Sequence, residues 1–128
     1  MTYPDLNEAR SHHGALHALF LRAIDLSNIQ ELRKVENLCA QAASAVSDEY
    51  CRQEMAIVAG YAAELFSQGA ARKYESESLS GNEFLRLQIL KALDSFHSRL
   101  YSLEAMRRAV EAQLSFSAPG EPRSPNRS

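Results

Sequence analysis

The sequence predicts an all-α fold, a four-helix antiparallel bundle with a long C-terminal helix and a disordered tail, on three observations. Apolar residues recur at three-four spacing in four separate segments. Capping signatures stand ahead of those segments. Gly, Pro and β-branched residues are scarce before Pro119. The bundle occupies residues 1–116 as one domain, and residues 117–128 form the tail. A chain of 128 residues buries roughly two-thirds of its unfolded surface, so it needs neither a disulfide nor a metal to fold.

The first helix is predicted from "PDLNE", where Asp5 is the N-cap and Glu8 stands three residues on. It runs to about Leu26 on a stripe of Leu6, Ala9, His13, Leu16, Phe20 and Ala23 or Ile24. Ser27 and Gln30 repeat the capping signature for a second helix, with Leu32, Val35, Cys39, Ala42 and Val46 inward. Ser47 as cap, with Asp48 and Glu49 as two favourable negative charges, opens a third, whose stripe is Cys51, Met55, Val58, Ala62 and Leu65 and whose stop is Gly69.

Residues 67–80, "SQGAARKYESESLS", lack periodicity and read as the longest loop. Ser80 and Glu83 then make a capping box, with Leu79 and Phe84 at the positions of a hydrophobic staple. The last helix follows a heptad through Ile89, Leu93, Phe96, Leu100, Leu103, Val110 and Leu114, with Arg107 the one polar residue in the seam. The tail "SAPGEPRSPNRS" cannot bury enough apolar surface to offset its ordering entropy.

If unbroken from Gly81 to Phe116, the last helix would span about 54 Å at 1.5 Å per residue. A compact chain of this size is only about 36 Å across. Two outcomes are open. A break among Ser95, Ser98 and Ser102 would give a fifth helix and a closed monomer. Projection would instead leave Leu103, Met106, Val110 and Leu114 to be covered by another chain, in its commonest form a two-fold homodimer.

Composition narrows the function classes. The net charge of -2 and the scattered Lys and Arg give no footprint for nucleic acid or an anionic membrane. The chain has no run of 18 apolar residues and no basic-then-apolar leader at "MTYPDLNEAR". Two cysteines, Cys39 and Cys51, suit a reducing compartment, so a cytoplasmic location is expected.

Three histidines in "SHHGALHALF" are the sharpest chemical feature. His13 and His17, four apart on one helical face, have the spacing of two metal ligands, yet Ala9, Arg10, Phe20 and Leu21 extend that face with no third. His97, Cys39 or Cys51 would have to complete such a set from another helix. His12 is expected near Glu8 in solvent, and Gly14 in a close packing contact that offsets its cost of about 1 kcal/mol. Phosphoryl acceptance, as in histidine phosphotransfer domains, would call for a lysine and a glycine after the histidine, whereas Ala18, Leu19 and Phe20 follow His17. Arg10 and His17 match the Arg–His spacing of small helical HEPN ribonucleases only loosely.

With no phosphate loop or nucleophile elbow, and with Cys51 placed on an apolar stripe, enzymatic function is the minority reading. No cofactor and no small-molecule substrate is implied. The expectation is a protein that acts by binding another protein or itself, as adaptor, chaperone-like factor or regulator, through Leu103, Met106, Val110 and Leu114. The loop bearing Tyr74 and the tail are further docking elements. The alternatives are a metal-binding or hydrolytic protein centred on His13 and His17, and a nucleic-acid-binding regulator using Arg107, Arg108, Arg123 and Arg127.

Overall fold

The computed structural model describes residues 6–22, 24–67 and 70–116. Four α-helices run in order, α1 (Leu6–Leu21), α2 (Ile29–Val46), α3 (Glu49–Phe66) and α4 (Gly81–Phe116), with a 3-10 turn at Ala70–Tyr74 before α4. Each helix packs on the next and α1 closes the ring against α4. The described residues contain no strand. Asp5, Ala23, Gly69 and the tail from residue 117 lie outside the described residues, so the expectations made for them do too.

The core is the set of stripes. All five α3 positions read from the sequence, Cys51, Met55, Val58, Ala62 and Leu65, are buried. In α2, Val35, Cys39, Ala42 and Val46 are buried and Leu32 packs at the edge. In α4, Leu85, Ile89, Leu93, Phe96 and Leu100 are fully buried, each worth about 1.5–3 kcal/mol of burial. No polar or charged residue is buried among those described.

Two boundaries differ from expectation. Helix α1 stops at Leu21 rather than near Leu26, because Arg86 of α4 reaches across and donates from Nε to the Phe20 carbonyl (2.8 Å) and from a terminal nitrogen to the Arg22 carbonyl. Those are carbonyls a helix end leaves unpaired. The cap of α2 is Asn28, not Ser27: Asn28 Oδ1 accepts from the Gln30 backbone N–H at 3.0 Å. Ser27 is engaged one residue earlier, donating from its hydroxyl and backbone N–H to Asp25 Oδ1 at 2.6 and 3.1 Å.

Between α2 and α3 the chain turns in two residues, with Ser47 in the left-handed region (φ 56°) and Asp48 accepting from the Cys51 backbone N–H at 3.0 Å. The same carboxylate receives the fork of Arg99 from α4, at 3.1 Å (Nε) and 2.9 Å. Arg99 holds the Asp48 carboxyl down at about 2. The pair ties the α2–α3 turn to a fixed height on α4.

The capping box before α4 forms as read, the Glu83 N–H donating to Ser80 Oγ at 3.1 Å and the Ser80 N–H to Glu83 Oε1 at 3.2 Å. Gly81 is buried, and a Cβ there would meet the Ala71 carbonyl oxygen at 1.8 Å. Only glycine admits that approach of the 3-10 turn to α4. Helix α4 itself is unbroken for 36 residues, so the fifth helix that a break at Ser95, Ser98 and Ser102 would create does not exist.

Candidate interaction surface and histidine cluster

The surplus length of α4 is where the geometry departs most from a closed domain. Its last anchor to the α2–α3 turn is Arg99. One turn further on, Glu104 pairs with Arg10 near the start of α1. From Arg108 to Leu114 every side chain is exposed. Of the four residues read as an association face, Leu103 is half-buried against the core, while Met106, Val110 and Leu114 are 52%, 49% and 60% exposed. Tyr101, which the sequence did not single out, is 74% exposed at the root of this segment.

Charge at the root is already organised. Glu104 engages Arg10, Arg108 at 3.0 Å and Arg107 at 3.9 Å. Arg107 and Arg108 are therefore partly neutralised, which weakens the basic end required by a nucleic-acid reading. Arg123 and Arg127 lie outside the described residues. Arg107 Nε is shielded from solvent and has no acceptor among the described residues.

Further along the same face of α1 the structure assembles a cluster that the sequence showed only in part. His13 and His17 of α1 stack with His97 of α4: the His13–His97 ring centroids are 4.9 Å apart and the His13–His17 centroids 5.7 Å, with Phe96 at 6.2 Å from His13. Stacked rings present faces to one another, while the nitrogen lone pairs lie in the ring planes. Among the described residues no group of three or more His, Cys, Asp or Glu side chains is placed to hold a metal ion.

His13 is half-buried at the centre of the cluster. Burial lowers the pKa of His13, and the neighbouring His97 and His17 lower it further, against smaller opposing effects of the Leu93 backbone and the Asp94 carboxylate. Its Nε2 is shielded and without a hydrogen-bond partner among the described residues. His12 has Nε2 3.4 Å from Glu8 Oε1, the expected neighbour, but its side chain is only 17% exposed rather than free in solvent. Gly14 is exposed with nothing within 4 Å of where a Cβ would stand, so the expected packing contact is absent.

Neither cysteine is presented to solvent. Both thiols are unpaired and buried. Burial pushes each up to about 12, with Glu36 adding to the effect at Cys39 and Asp48 at Cys51. Arg10, the anion-binding residue of the catalytic alternative, is held by Asn7 and Glu104.

The segment read as the longest loop is exposed at most of its described positions, but it forms a 3-10 turn that places Tyr74 against the bundle. Tyr74 donates its hydroxyl to Glu64 at 2.8 Å and stacks on Phe84 at 4.8 Å, and Lys73 bonds the same carboxylate at 2.8 Å. Beside it, a groove of about 550 Å³ between α3 and α4 is lined by Glu54, Ile57, Tyr61, Tyr74, Gln88 and Lys91, among others. Burial raises the Glu54 carboxyl above its ordinary value. The groove is open to solvent, with its second carboxylate, Glu64, already neutralised by Lys73.

No described helix is long and apolar enough to cross a membrane. These features together define an all-α bundle with an overhanging last helix. Set against protein-family models, curated proteins and solved structures, the chain matches none of them.

Proposed function

We propose that this protein works by protein–protein association through the terminal third of α4, as a self-associating adaptor, chaperone-like factor or regulator. One observation carries the reading: the seam that is buried from Leu85 to Leu100 continues in register, with Arg107 within it, to Val110 and Leu114, which stand 49% and 60% exposed beside Met106 at 52%. An apolar stripe held out on an overhanging helix is costly in water and characteristic of a binding face. A cytoplasmic setting is supported by the two unpaired buried thiols.

The test is the solution mass of the intact chain by light scattering, from about 1 μM to about 1 mM, the range in which small interfaces associate. The wild-type chain is expected to rise from one mass to twice that mass, and Val110→Asp to remain a monomer with unchanged helix content. A wild-type chain that stays monomeric throughout, or a Val110→Asp variant that associates normally, overturns the proposal.

A further inference from the structure

We infer that the occupant of the α4 overhang is a second copy of this chain, paired antiparallel so that Leu103 of each copy meets Leu114 of the other. This rests on the association reading above and adds the orientation and register. The seam residues Leu103, Arg107, Val110 and Leu114 follow a four-three-four spacing, so a two-fold partner meets them in one of two ways.

A parallel pair stacks each residue on its own copy and sets Arg107 against the partner's Arg107. Two guanidinium groups then share an apolar seam, a like-charge contact that costs association. An antiparallel pair that keeps the same four residues in the seam sets Leu103 beside the partner's Leu114 and Arg107 beside the partner's Val110. One residue on from that valine stands the partner's Glu111, which is exposed and makes no ion pair within its own chain among the described residues.

The state of Arg107 in the single chain fits that arrangement. Its side chain is 35% exposed, its nearest carboxylate is Glu104 at 3.9 Å, and its Nε is shielded with no acceptor among the described residues. Such a guanidinium gains from an incoming carboxylate on the open side. Length fits as well. The antiparallel register uses residues 103–114 of both copies, about 18 Å of helix, and brings the partner's last turn level with Tyr101, the most exposed large hydrophobic residue described. The contact is small for a stable dimer, on the order of 1,000 Å² in total, which corresponds to a reversible, concentration-dependent pair.

The experiment is disulfide trapping in the full chain, with Leu103→Cys and Leu114→Cys as separate variants, oxidised by glutathione disulfide singly and as an equimolar mixture at a concentration where the wild type is dimeric. The native thiols are buried and stay out of the exchange. The mixture is expected to give a linked heterodimer in roughly ten-fold excess over either self-linked product, because only sulfurs within reach join. Arg107→Cys mixed with Val110→Cys repeats the test one layer in, and is expected to show the same preference. Self-linking of each single variant, with no preference for the mixed product, overturns the antiparallel register while the association reading stands. A wild-type chain that shows no dimer at any concentration overturns both.

Discussion

The two halves of α4 carry one heptad and meet two fates. From Leu85 to Leu100 the seam is fully buried, whereas Met106, Val110 and Leu114 are half-exposed or more on the same unbroken helix. The boundary between them is marked by two ion pairs, Arg99 with Asp48 and Arg10 with Glu104. Periodicity therefore sets which face of a helix is apolar, and chain length decides whether anything in the same molecule is left to cover it.

Substitution within the two halves breaks the comparison most sharply. Phe96→Ala is expected to cost about 3–5 kcal/mol, as for other buried aromatic truncations. Val110→Ala in the dilute monomer is expected to cost less than about 0.5 kcal/mol, the scale of surface changes. Urea unfolding at low protein concentration measures both, and similar costs would mean that the overhang belongs to the folding unit.

Acid tests the boundary. The Asp48 carboxyl lies at about 2 when folded, below its ordinary 3.8, so its contribution is fully present above about pH 4 and is lost as pH falls towards 2. Because Arg99 is 34% exposed, screening reduces the contribution to about 1–2 kcal/mol. Asp48→Asn should flatten that part of the stability-versus-pH curve.

His13 acts in a different window. Its pKa is lowered on folding from the ordinary 6.5, so the unfolded chain takes up the proton first and stability falls as pH drops below about 6.5. His13→Gln should remove the slope in that interval, as read by thermal unfolding between pH 7 and 5. The mildest change is Gly14→Ala on the exposed face of α1. With nothing within 4 Å of the new methyl, it should raise stability by about 1 kcal/mol, and a loss instead would show that the glycine has a contact in another chain.

What could be read from sequence follows the range of the interactions. The five-residue stripe of α3 and the Ser80–Glu83 box are local, set by residues within a few turns of one another, and they form as read, whereas the cap of α3 falls one residue on from Ser47, at Asp48, because Ser47 closes α2 in the left-handed region. The end of α1 was misplaced because its carbonyls are taken by Arg86, more than sixty residues away. Leu19, buried on α1, falls outside the stripe read from the sequence, while His13, on that stripe, is half-buried and stacks on His97 and Phe96. The histidine stack needed His97, and the fork on Asp48 needed Arg99. Neither contact has a local signature, since each depends on the height at which α4 passes its neighbours. The loop bearing Tyr74 has no periodicity to place that side chain, which depends on the stack on Phe84 and the bond to Glu64.

The central claim is that residues beyond Ala105 are surplus to the fold and are ordered by a partner. Amide hydrogen exchange along α4 of the full chain, compared at about 1 μM and about 500 μM, tests it most directly because local opening reads out segment by segment. Slow exchange from Leu85 to Leu100 at both concentrations is expected, with residues 106–114 exchanging fast when dilute and becoming protected when concentrated. Overhang amides as protected as those of the bundle in the dilute monomer would contradict the account.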